Sequence, residues 1–580
     1  MALEYDLVIR SGFIVDGTGA EGFNGDVGIL NGLITKVGRL EGRGREEIDA
    51  KGMMVTPGFV DIHTHYDGQA TWENRMIPSS NHGVTTVVMG NCGVGFAPCR
   101  PSDRKSLVQL MEGVEDVPEV VMERGLPWNW ETFPQYLDAL SARSYDVDLG
   151  TQLPHAPLRV YVMGKRAVAG ETATENDRAQ MTDLAKEAME AGALGFATSR
   201  NLFHRDSTGL AICTRDAEEA ELLAIAEGLR RAGTGVIEAV LDLDLERMDA
   251  EFPMLRHMVE KSGRPLSFSL FDALHAPKTW RRGLELVDQA NERGLPMKAQ
   301  VIGRSTGFLF GLNLSYHPFS FYPTYKAIAH LPLAERVREL RKPHVRQRLL
   351  REEPDVPVYA TLQIYLRYYE WMFALGDPPD YEPPPEKSIL AQAQRRGVSP
   401  EEVALDLLLE DEGESVLFVT AANYAGGTLD HASQMLDNKN TLLGLGDGGA
   451  HYGLICDASV PTFMLTYWTR DRVRGSKLPL STIVKKLTSN NASAVGLNDR
   501  GVIAAGYKAD INVIDYPRLA LHAPRMTTDL PGGGARLSQA ATGYKATLVN
   551  GQVTYRDGVA TGALPGRLVR GPQTIATTAS

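Results

Sequence analysis

The sequence predicts an α/β fold of parallel βα units, with a smaller β unit built from both ends of the chain. Between residues 177 and 240, apolar runs alternate with amphipathic helical segments, which is typical of a parallel sheet. Short strands separated by glycine turns occupy residues 4–55 and recur after residue 501. This repeated texture indicates one antiparallel unit shared by the two termini.

Composition sets the first limits on function. The chain has 580 residues, 43% of them hydrophobic, which is enough for one large domain with smaller additions. Its net charge of -12 disfavours nucleic acid and anionic membranes as partners. The sequence shows no bilayer-spanning apolar run and no secretory signal, so we expect a cytoplasmic protein. Four cysteines are too few for a disulfide framework, and each is expected to serve packing or chemistry.

The first candidate site follows the apolar run at residues 53–60, which predicts a buried strand. His63 and His65 come at the end of that strand. Because residues i and i+2 of an extended chain share a face, both imidazoles are expected to point to one side, as metal ligands do. The segment from Pro57 to His65 resembles the first-strand motif of the amidohydrolase superfamily. That resemblance implies a metal-dependent hydrolase with a TIM-like (β/α)8 barrel.

The resemblance also implies a division of the chain, since many amidohydrolases split a small β-sandwich around the barrel. A Pro-rich excursion with clustered aromatic residues interrupts the barrel pattern, and long insertions in barrels are usually functional covers. The expected parts are residues 1–56 for the N-terminal part of the β-sandwich, 57–498 for the barrel, 315–412 for a lid-like insertion within it, and 499–580 for the C-terminal part of the sandwich.

A second candidate ligand follows the next β-branched run, which starts at Gly83 and ends at Cys92. In a parallel barrel the reactive groups collect at the C-terminal ends of strands, so Cys92 is a candidate for the same site as the histidines. A buried cysteine is more often a small hydrophobe. The segment, however, resembles the second-strand motif of the D-aminoacylase branch, the N-acyl-D-amino-acid deacylases. The resemblance implies that Cys92 is a thiolate ligand, in place of the carboxylated lysine of hydantoinases.

The last barrel strand is expected at residues 441–446, and Asp447 follows it before two glycines. An aspartate before glycine is often only a turn residue. Here it resembles the eighth-strand acid of the superfamily, which implies a ligand that also exchanges protons with water and substrate. His451 matches a histidine that follows this acid in the branch, which implies a substrate contact.

The resemblance weakens at other positions. His155 matches a histidine of the branch that polarises substrate or orients a ligand, but a structural histidine in a loop is an equal alternative. The branch's two further histidine ligands, after the fifth and sixth strands, are missing, and Glu238, Asp272 or His275 are the candidates to replace them. The arginine that holds the substrate carboxylate in the branch is also missing. Candidates to replace that arginine are Arg159, Arg200 and Arg304.

The predicted ligands His63, His65, Cys92 and Asp447 combine nitrogen, thiolate and carboxylate donors, which suits zinc best. With the two histidines missing, we expect one divalent ion rather than two. The predicted reaction is hydrolysis of a C–N amide bond of an N-acyl (D-)amino acid or a related N-acyl compound. A bound divalent ion makes hydroxide available near neutral pH. Asp447 is then the general base and later the general acid, and His155, Arg304 or His451 contacts the substrate.

Two other functions stay open at this stage. A metal-dependent lyase of the decarboxylase type uses the same scaffold, since fold does not fix reaction. The other is a non-catalytic binding homologue, although a site without catalytic activity would need Asp447 only for packing. The expected partner is a small-molecule amide. Self-association through the aromatic insertion remains open, as do the exact substrate and its stereochemistry.

Overall fold

The computed structural model describes residues 3–242, 244–355 and 363–576. Its strands in chain order are β1 (Leu3–Ile14), β2 (Phe23–Leu30), β3 (Leu33–Gly38), β4 (Arg43–Asp49), β5 (Met54–Pro57), β6 (Phe59–Asp61), β7 (Val84–Met89), β8 (Asp148–Pro154), β9 (Gly195–Ser199), β10 (Val236–Val240), β11 (Leu266–Ser269), β12 (Met297–Val301), β13 (Thr306–Phe310), β14 (Met372–Ala374), β15 (Leu417–Ala422), β16 (Thr441–Leu443), β17 (Ile511–Ile514), β18 (Ala520–Leu530), β19 (Gly534–Thr542), β20 (Tyr544–Val549), β21 (Gln552–Arg556) and β22 (Val559–Ala560).

The α-helices in chain order are α1 (Gln69–Trp72), α2 (Arg104–Glu115), α3 (Glu119–Gly125), α4 (Phe133–Ser141), α5 (His155–Met163), α6 (Lys165–Val168), α7 (Glu175–Ala191), α8 (Glu219–Ala232), α9 (Leu245–Ser262), α10 (Thr279–Glu292), α11 (Pro323–Lys326), α12 (Leu333–Leu340), α13 (Pro343–Leu349), α14 (Gln363–Leu366), α15 (Ile389–Arg396), α16 (Pro400–Leu408), α17 (Asp430–Asp437), α18 (Val460–Phe463), α19 (Leu480–Leu487) and α20 (Ser489–Ala494). Among the described residues, no helix is both long and apolar enough to cross a bilayer.

Eight parallel strands form the central sheet, in the order β16-β12-β11-β10-β9-β8-β7-β6. Hydrogen bonds across the gap join its two outer strands. The side-chain amide of Asn491, on α20, donates to the carbonyl oxygens of Val60 (2.9 Å) and Leu443 (2.6 Å). Thr64 and Gly448 form a parallel bridge just beyond the strand ends. The predicted α/β fold with a TIM-like (β/α)8 barrel is confirmed.

Local signals in the sequence explain where the barrel helices begin and end. Thr174 and Asp177 form a capping box at the start of α7, in which each side chain accepts a hydrogen bond from the backbone N–H of the other. Gly192 ends this helix with φ of 111°, a conformation that glycine adopts without a steric penalty. These two signals set the bounds of α7 at Glu175 and Ala191.

A nine-stranded sheet combines the two ends of the chain. Its order is β22-β21-β20-β17-β5-β1-β2-β3, and β4 pairs with β1. The antiparallel pairing of β17 with β5 joins the C-terminal strands to the N-terminal ones. The second, smaller β unit built from both termini is thereby confirmed, while the boundaries proposed at residues 56 and 499 stay predictions.

The apolar run at residues 53–60 is two strands rather than the single one predicted. β5 belongs to the terminal sheet and β6 to the barrel, and the chain passes from one to the other at Gly58. A Cβ atom on Gly58 would lie 2.1 Å from Oγ1 of Thr85, so the close approach of β7 requires glycine here. Periodicity could not show the switch, because both strands are buried on both faces.

The insertion predicted at residues 315–412 lies between β12 and β16 and includes residues 356–362, which lie outside the described residues. β13, β15 and β14 form a three-stranded antiparallel sheet at its base. Helices α11 to α16 pack around a separate apolar cluster that contains Phe310, Leu340 and Leu405. The insertion therefore packs on an apolar cluster distinct from the barrel core, and its role as a lid stays a prediction.

Candidate metal centre

Four predicted side chains meet at the C-terminal end of the barrel. His63 and His65 follow β6, Cys92 follows β7, and Asp447 follows β16. The ligand atoms of His63, His65 and Cys92 all lie within 4.8 Å of one another. Oδ1 of Asp447 lies 3.5 Å from Nε2 of His63 and 3.5 Å from Nε2 of His65. Cys92 Sγ is 3.4 Å from Nε2 of His63, so three chain segments converge on that atom.

The barrel seam itself positions these groups. The backbone N–H of Asp447 donates to the carbonyl oxygen of His63 (3.0 Å), and the N–H of His65 donates to that of Gly448 (2.7 Å). These bonds join the ends of β6 and β16, the first and last barrel strands. The relative placement of the histidines and the aspartate is therefore fixed by main-chain bonds rather than by long side chains.

Backbone conformation marks the same region. Cys92, Leu445, Asp447 and His451 have positive φ angles of 54°, 66°, 45° and 54°. Non-glycine residues pay for this conformation, and such residues cluster at functional sites. Their concentration on the two loops that carry Cys92 and Asp447 makes this region a candidate functional site.

Two buried glutamates complete the surroundings of the histidines. Oε1 of Glu238, on β10, lies 3.9 Å from Nδ1 of His63, and its Oε2 accepts a bond from the backbone N–H of Cys92 (3.3 Å). Oε1 of Glu115, at the end of α2, lies 3.5 Å from Nδ1 of His65. Gln300, on β12, places Oε1 3.0 Å from Nδ1 of His63. Each histidine thus has oxygen atoms on its Nδ1 side.

Sequence reasoning missed Glu115 and Gln300. Glu115 left a signal in the helical pattern, because it lies four residues after Met111 on the apolar face of α2. An acid at such a position has to find a partner inside the protein. Gln300 left no comparable signal, since a glutamine within a parallel strand is compatible with simple packing.

Burial keeps the two histidines neutral. It lowers the pKa of His63 to about 4, although the Asp447 carboxylate acts in the opposite direction. It lowers the pKa of His65 to about 3. Neutral imidazole is the form that binds a metal ion, so both side chains are ready to do so at neutral pH.

The acids and the thiol of the site show the opposite shift. Burial raises the pKa of Glu238 to about 8 and the pKa of Asp61 to about 7, with a further contribution from Asp447 in both cases. Burial, followed by the nearby carboxylates of Glu115 and Glu238, raises the pKa of the Cys92 thiol. So many buried acids in one place favour a cation, which would return the thiol and the carboxylates to their ionised forms.

The residues present fit a divalent cation. Within the part of the chain that the structure describes, both ring nitrogens of His65, Oε1 of Glu115 and Oε1 of Glu238 are buried without a hydrogen-bond partner. Buried polar atoms are rarely left unpaired, and several such atoms around one point are typical of a ligand site. Nitrogen, sulfur and carboxylate donors together suit a borderline-soft ion.

The three predicted substrate-contact residues lie in different surroundings. His451 is next to the centre, with Nε2 3.5 Å from Oε2 of Glu115 and a side chain 18% exposed. His155 is fully buried, and its ring nitrogens lie 2.8 Å from Oγ1 of Thr198 and 2.8 Å from Oε1 of Glu221. With both nitrogens engaged, His155 fits the structural alternative better than substrate contact.

Arg304 stacks on Tyr381 and donates to the carboxylate of Asp457 and to Oγ of Ser459 (3.0 Å). It is 2% exposed. The other two arginines considered are also paired with buried acids, Arg159 with Glu221 (2.9 Å) and Arg200 with Glu251 (3.1 Å). A substrate carboxylate would have to displace a protein carboxylate to reach any of the three.

Of the three candidates to replace the missing histidines, Glu238 lies at the centre. Asp272 binds Nδ1 of His431 at 2.9 Å, and His275 is exposed in the loop after β11. Glu238 is the third residue of β10, the fifth strand of the barrel, and its Oε1 lies 3.9 Å from Nδ1 of His63.

An amidohydrolase family model matches residues 46–555. The chain belongs to the amidohydrolase family. The match spans the whole barrel and, in the terminal sheet, strands β5, β17 and β20 with most of β21, so membership rests on most of the chain. The identification made from the sequence motifs is confirmed, while the ligand roles of His63, His65, Cys92 and Asp447 stay predictions.

The relatives of this amidohydrolase include proteins similar over nearly all of its length. An uncharacterised protein of Mycobacterium tuberculosis (strain H37Rv) is 28% identical over 550 residues, which cover 89% of this chain and 85% of that protein. A D-aminoacylase of Alcaligenes xylosoxydans xylosoxydans is 35% identical over 195 residues, 33% of this chain and 37% of that enzyme.

Solved structures give the same architecture. An N-acyl-D-glutamate deacylase from Bordetella bronchiseptica, complexed with zinc and a phosphonate inhibitor, superposes with a TM-score of 0.64 at 21% identity, covering 98% of this chain and 99% of that one. A D-aminoacylase structure gives a TM-score of 0.65 at 22% identity, with 98% and 100% covered. At these identities the similarity establishes the fold.

Proposed function

We propose that this amidohydrolase hydrolyses the C–N amide bond of an N-acyl amino compound, with N-acyl-D-amino acids as the first class to test. The observation that carries the proposal is the position of Asp447, whose Oδ1 lies 3.5 Å from Nε2 of each ligand histidine. The substrate class is supported by the relatives named D-aminoacylase and N-acyl-D-aspartate deacylase, 35% and 34% identical over about a third of the chain.

His63, His65, Cys92 and Asp447 would hold one divalent ion, and zinc suits this donor set. When bound, such an ion lowers the pKa of water from 15.7 to about 7 and polarises a carbonyl group. Asp447 is the group placed to exchange protons, because its side chain is 19% exposed whereas the side chains of His63 and His65 are 1% exposed. It takes a proton from the attacking water and returns it to the departing amine.

His451 is the predicted substrate contact that lies at the mouth of this centre. It follows Asp447 on the same loop and is partly exposed, so an imidazole N–H or ring face can meet a substrate held at the metal. Because Arg159, Arg200 and Arg304 are each paired with a buried acid, we expect neutral N-acyl amides to be accepted as well as free acids. The substrates tested must therefore include both neutral N-acyl amides and N-acyl amino acids with a free carboxylate.

The test is amine release from N-acyl-D- and N-acyl-L-amino acids and their neutral amides, by protein loaded with zinc. Release of free amine by the native protein and not by the Asp447→Asn variant supports the proposal. Carbon dioxide release without free amine would identify a lyase instead. Tight binding of zinc and an N-acyl compound without any turnover would identify a binding protein.

A further inference from the structure

Glu115 lies next to the candidate metal centre but is carried by a helix, whereas His63, His65, Cys92 and Asp447 each follow a barrel strand. It is the last residue of α2, in the excursion between β7 and β8, and it is 1% exposed. Its two carboxylate oxygens face two different imidazoles: Oε1 lies 3.5 Å from Nδ1 of His65, and Oε2 lies 3.5 Å from Nε2 of His451. In addition, its backbone carbonyl oxygen accepts a hydrogen bond from the backbone N–H of His451.

A histidine that binds a metal through one ring nitrogen needs a hydrogen-bond acceptor for the N–H of the other ring nitrogen. If Nε2 of His65 faces a cation, the ring proton must be on Nδ1, and that N–H needs an acceptor. Oε1 of Glu115 is the carboxylate oxygen next to Nδ1, at 3.5 Å, and neither atom has a hydrogen-bond partner among the residues that the structure describes. His63 differs, because a neutral amide oxygen, Oε1 of Gln300, lies 3.0 Å from its Nδ1.

The cost of burying Glu115 argues against a purely structural role. A buried carboxylate without a cationic partner is expensive, and among the described residues the basic side chains within 4 Å of Glu115 are His65 and His451, two imidazoles that burial keeps neutral. A simple packing residue at this position would be apolar, like Met111 and Val114 on the same helix face.

We propose that Glu115 is a positioning residue that orients two histidines at once, the metal ligand His65 and the substrate-side His451. One oxygen accepts the Nδ1–H of His65 and so directs Nε2 at the metal, while the other accepts the Nε2–H of His451 and fixes the loop after β16. The inference rests on the proposed role of His65 as a ligand. It makes α2 part of the metal site, although no strand of the barrel carries Glu115.

The test is metal affinity, measured without any amide substrate by competition of zinc with a chromogenic chelator. Loss of an outer partner of a ligand histidine typically costs 10- to 100-fold in metal affinity, and we expect that loss in Glu115→Gln. Glu115→Asp keeps the charge and should recover part of the affinity. The matched control is Glu119→Gln, an exposed residue four positions further on, which should bind zinc as the native protein does.

The visible absorption spectrum of the cobalt-substituted protein is the second readout. It reports ligand geometry and should change in Glu115→Gln but not in Glu119→Gln. A zinc affinity within twofold of native together with an unchanged cobalt spectrum in Glu115→Gln would overturn the inference. If that variant does not fold, native affinity and spectrum in Glu115→Asp, which withdraws the carboxylate by one methylene, would overturn it. Native protein that binds zinc but cleaves no amide would refute the proposed function alone.

Discussion

Oδ1 of Asp447 lies 3.5 Å from Nε2 of His65, although the two residues follow the last and the first strands of the barrel. Backbone bonds across the seam hold them there, with the N–H of His65 donating to the carbonyl oxygen of Gly448 at 2.7 Å. Barrel closure therefore positions Asp447 relative to His65, and the roles proposed for these two residues depend on that closure.

Replacing Asp447 with asparagine should reduce kcat for amide hydrolysis by about 10²–10⁴-fold, the usual contribution of a positioned acid or base. The amide keeps an oxygen for the metal but cannot exchange a proton at neutral pH. Amine release with saturating zinc measures the effect, and Asp437→Asn, an exposed change on α17, is the control. A variant that retains more than a tenth of native kcat would exclude Asp447 as general base.

Replacing Cys92 with alanine should remove the soft donor of the site and lower zinc affinity. Chelation should abolish hydrolysis in the native protein, and added zinc should restore it, whereas zinc at the same concentration should not restore Cys92→Ala. Metal per chain is measured by atomic emission after dialysis. Cys99→Ala, a buried cysteine on the same loop, controls for loss of a thiol. Equal zinc content in the two variants would mean that Cys92 is not a ligand.

Replacing Arg304 with methionine should lower the free energy of unfolding by about 3–5 kcal/mol, because Asp457 would be left buried without its partner. The double variant Arg304→Met/Asp457→Asn removes the unpaired charge and should regain much of the loss. Urea denaturation of the metal-loaded proteins measures both. The alternative, a substrate contact, predicts the reverse: a raised KM in Arg304→Met with stability close to native.

We expect the ionised Asp148 carboxylate to stabilise the protein, so that the free energy of unfolding falls at acid pH. Burial alone would raise its pKa, but Lys508 and Arg500 outweigh that effect and lower it to about 2 from a model-peptide value of 3.8. Its contribution to stability is therefore present above pH 4 and is lost as the pH falls from about 4 to about 2. At 1.36 kcal/mol per pKa unit the contribution is about 2 kcal/mol.

The measurement for Asp148 compares native protein with Asp148→Asn in denaturant titrations at several pH values. The difference in unfolding free energy should be largest near pH 6 and should narrow toward pH 2. Asp138→Asn, a surface change, should show no such trend, since the Asp138 side chain is 73% exposed. A difference that is independent of pH would contradict the proposed electrostatic origin.

The sequence by itself determined the architecture and much of the site. Alternation of apolar runs with helices predicted the parallel units, and the shared texture of the termini predicted one sheet from both ends. Strand-end motifs named His63, His65, Cys92 and Asp447, because a parallel barrel brings the C-terminal ends of its strands together. Local chemistry is enough for such predictions when each residue sits at a fixed place relative to its own strand.

Only the tertiary structure decided the partners of these residues. That Glu115 meets His65, that Glu238 rather than Asp272 reaches His63, and that Arg304 faces Asp457 all depend on how distant segments pack. Periodicity also failed at residues 53–60, where one apolar run serves two sheets. The physical reason is the same in each case. The contacts of a side chain across the fold depend on the relative positions of whole helices and strands, and the spacing of residues in the sequence does not specify those positions.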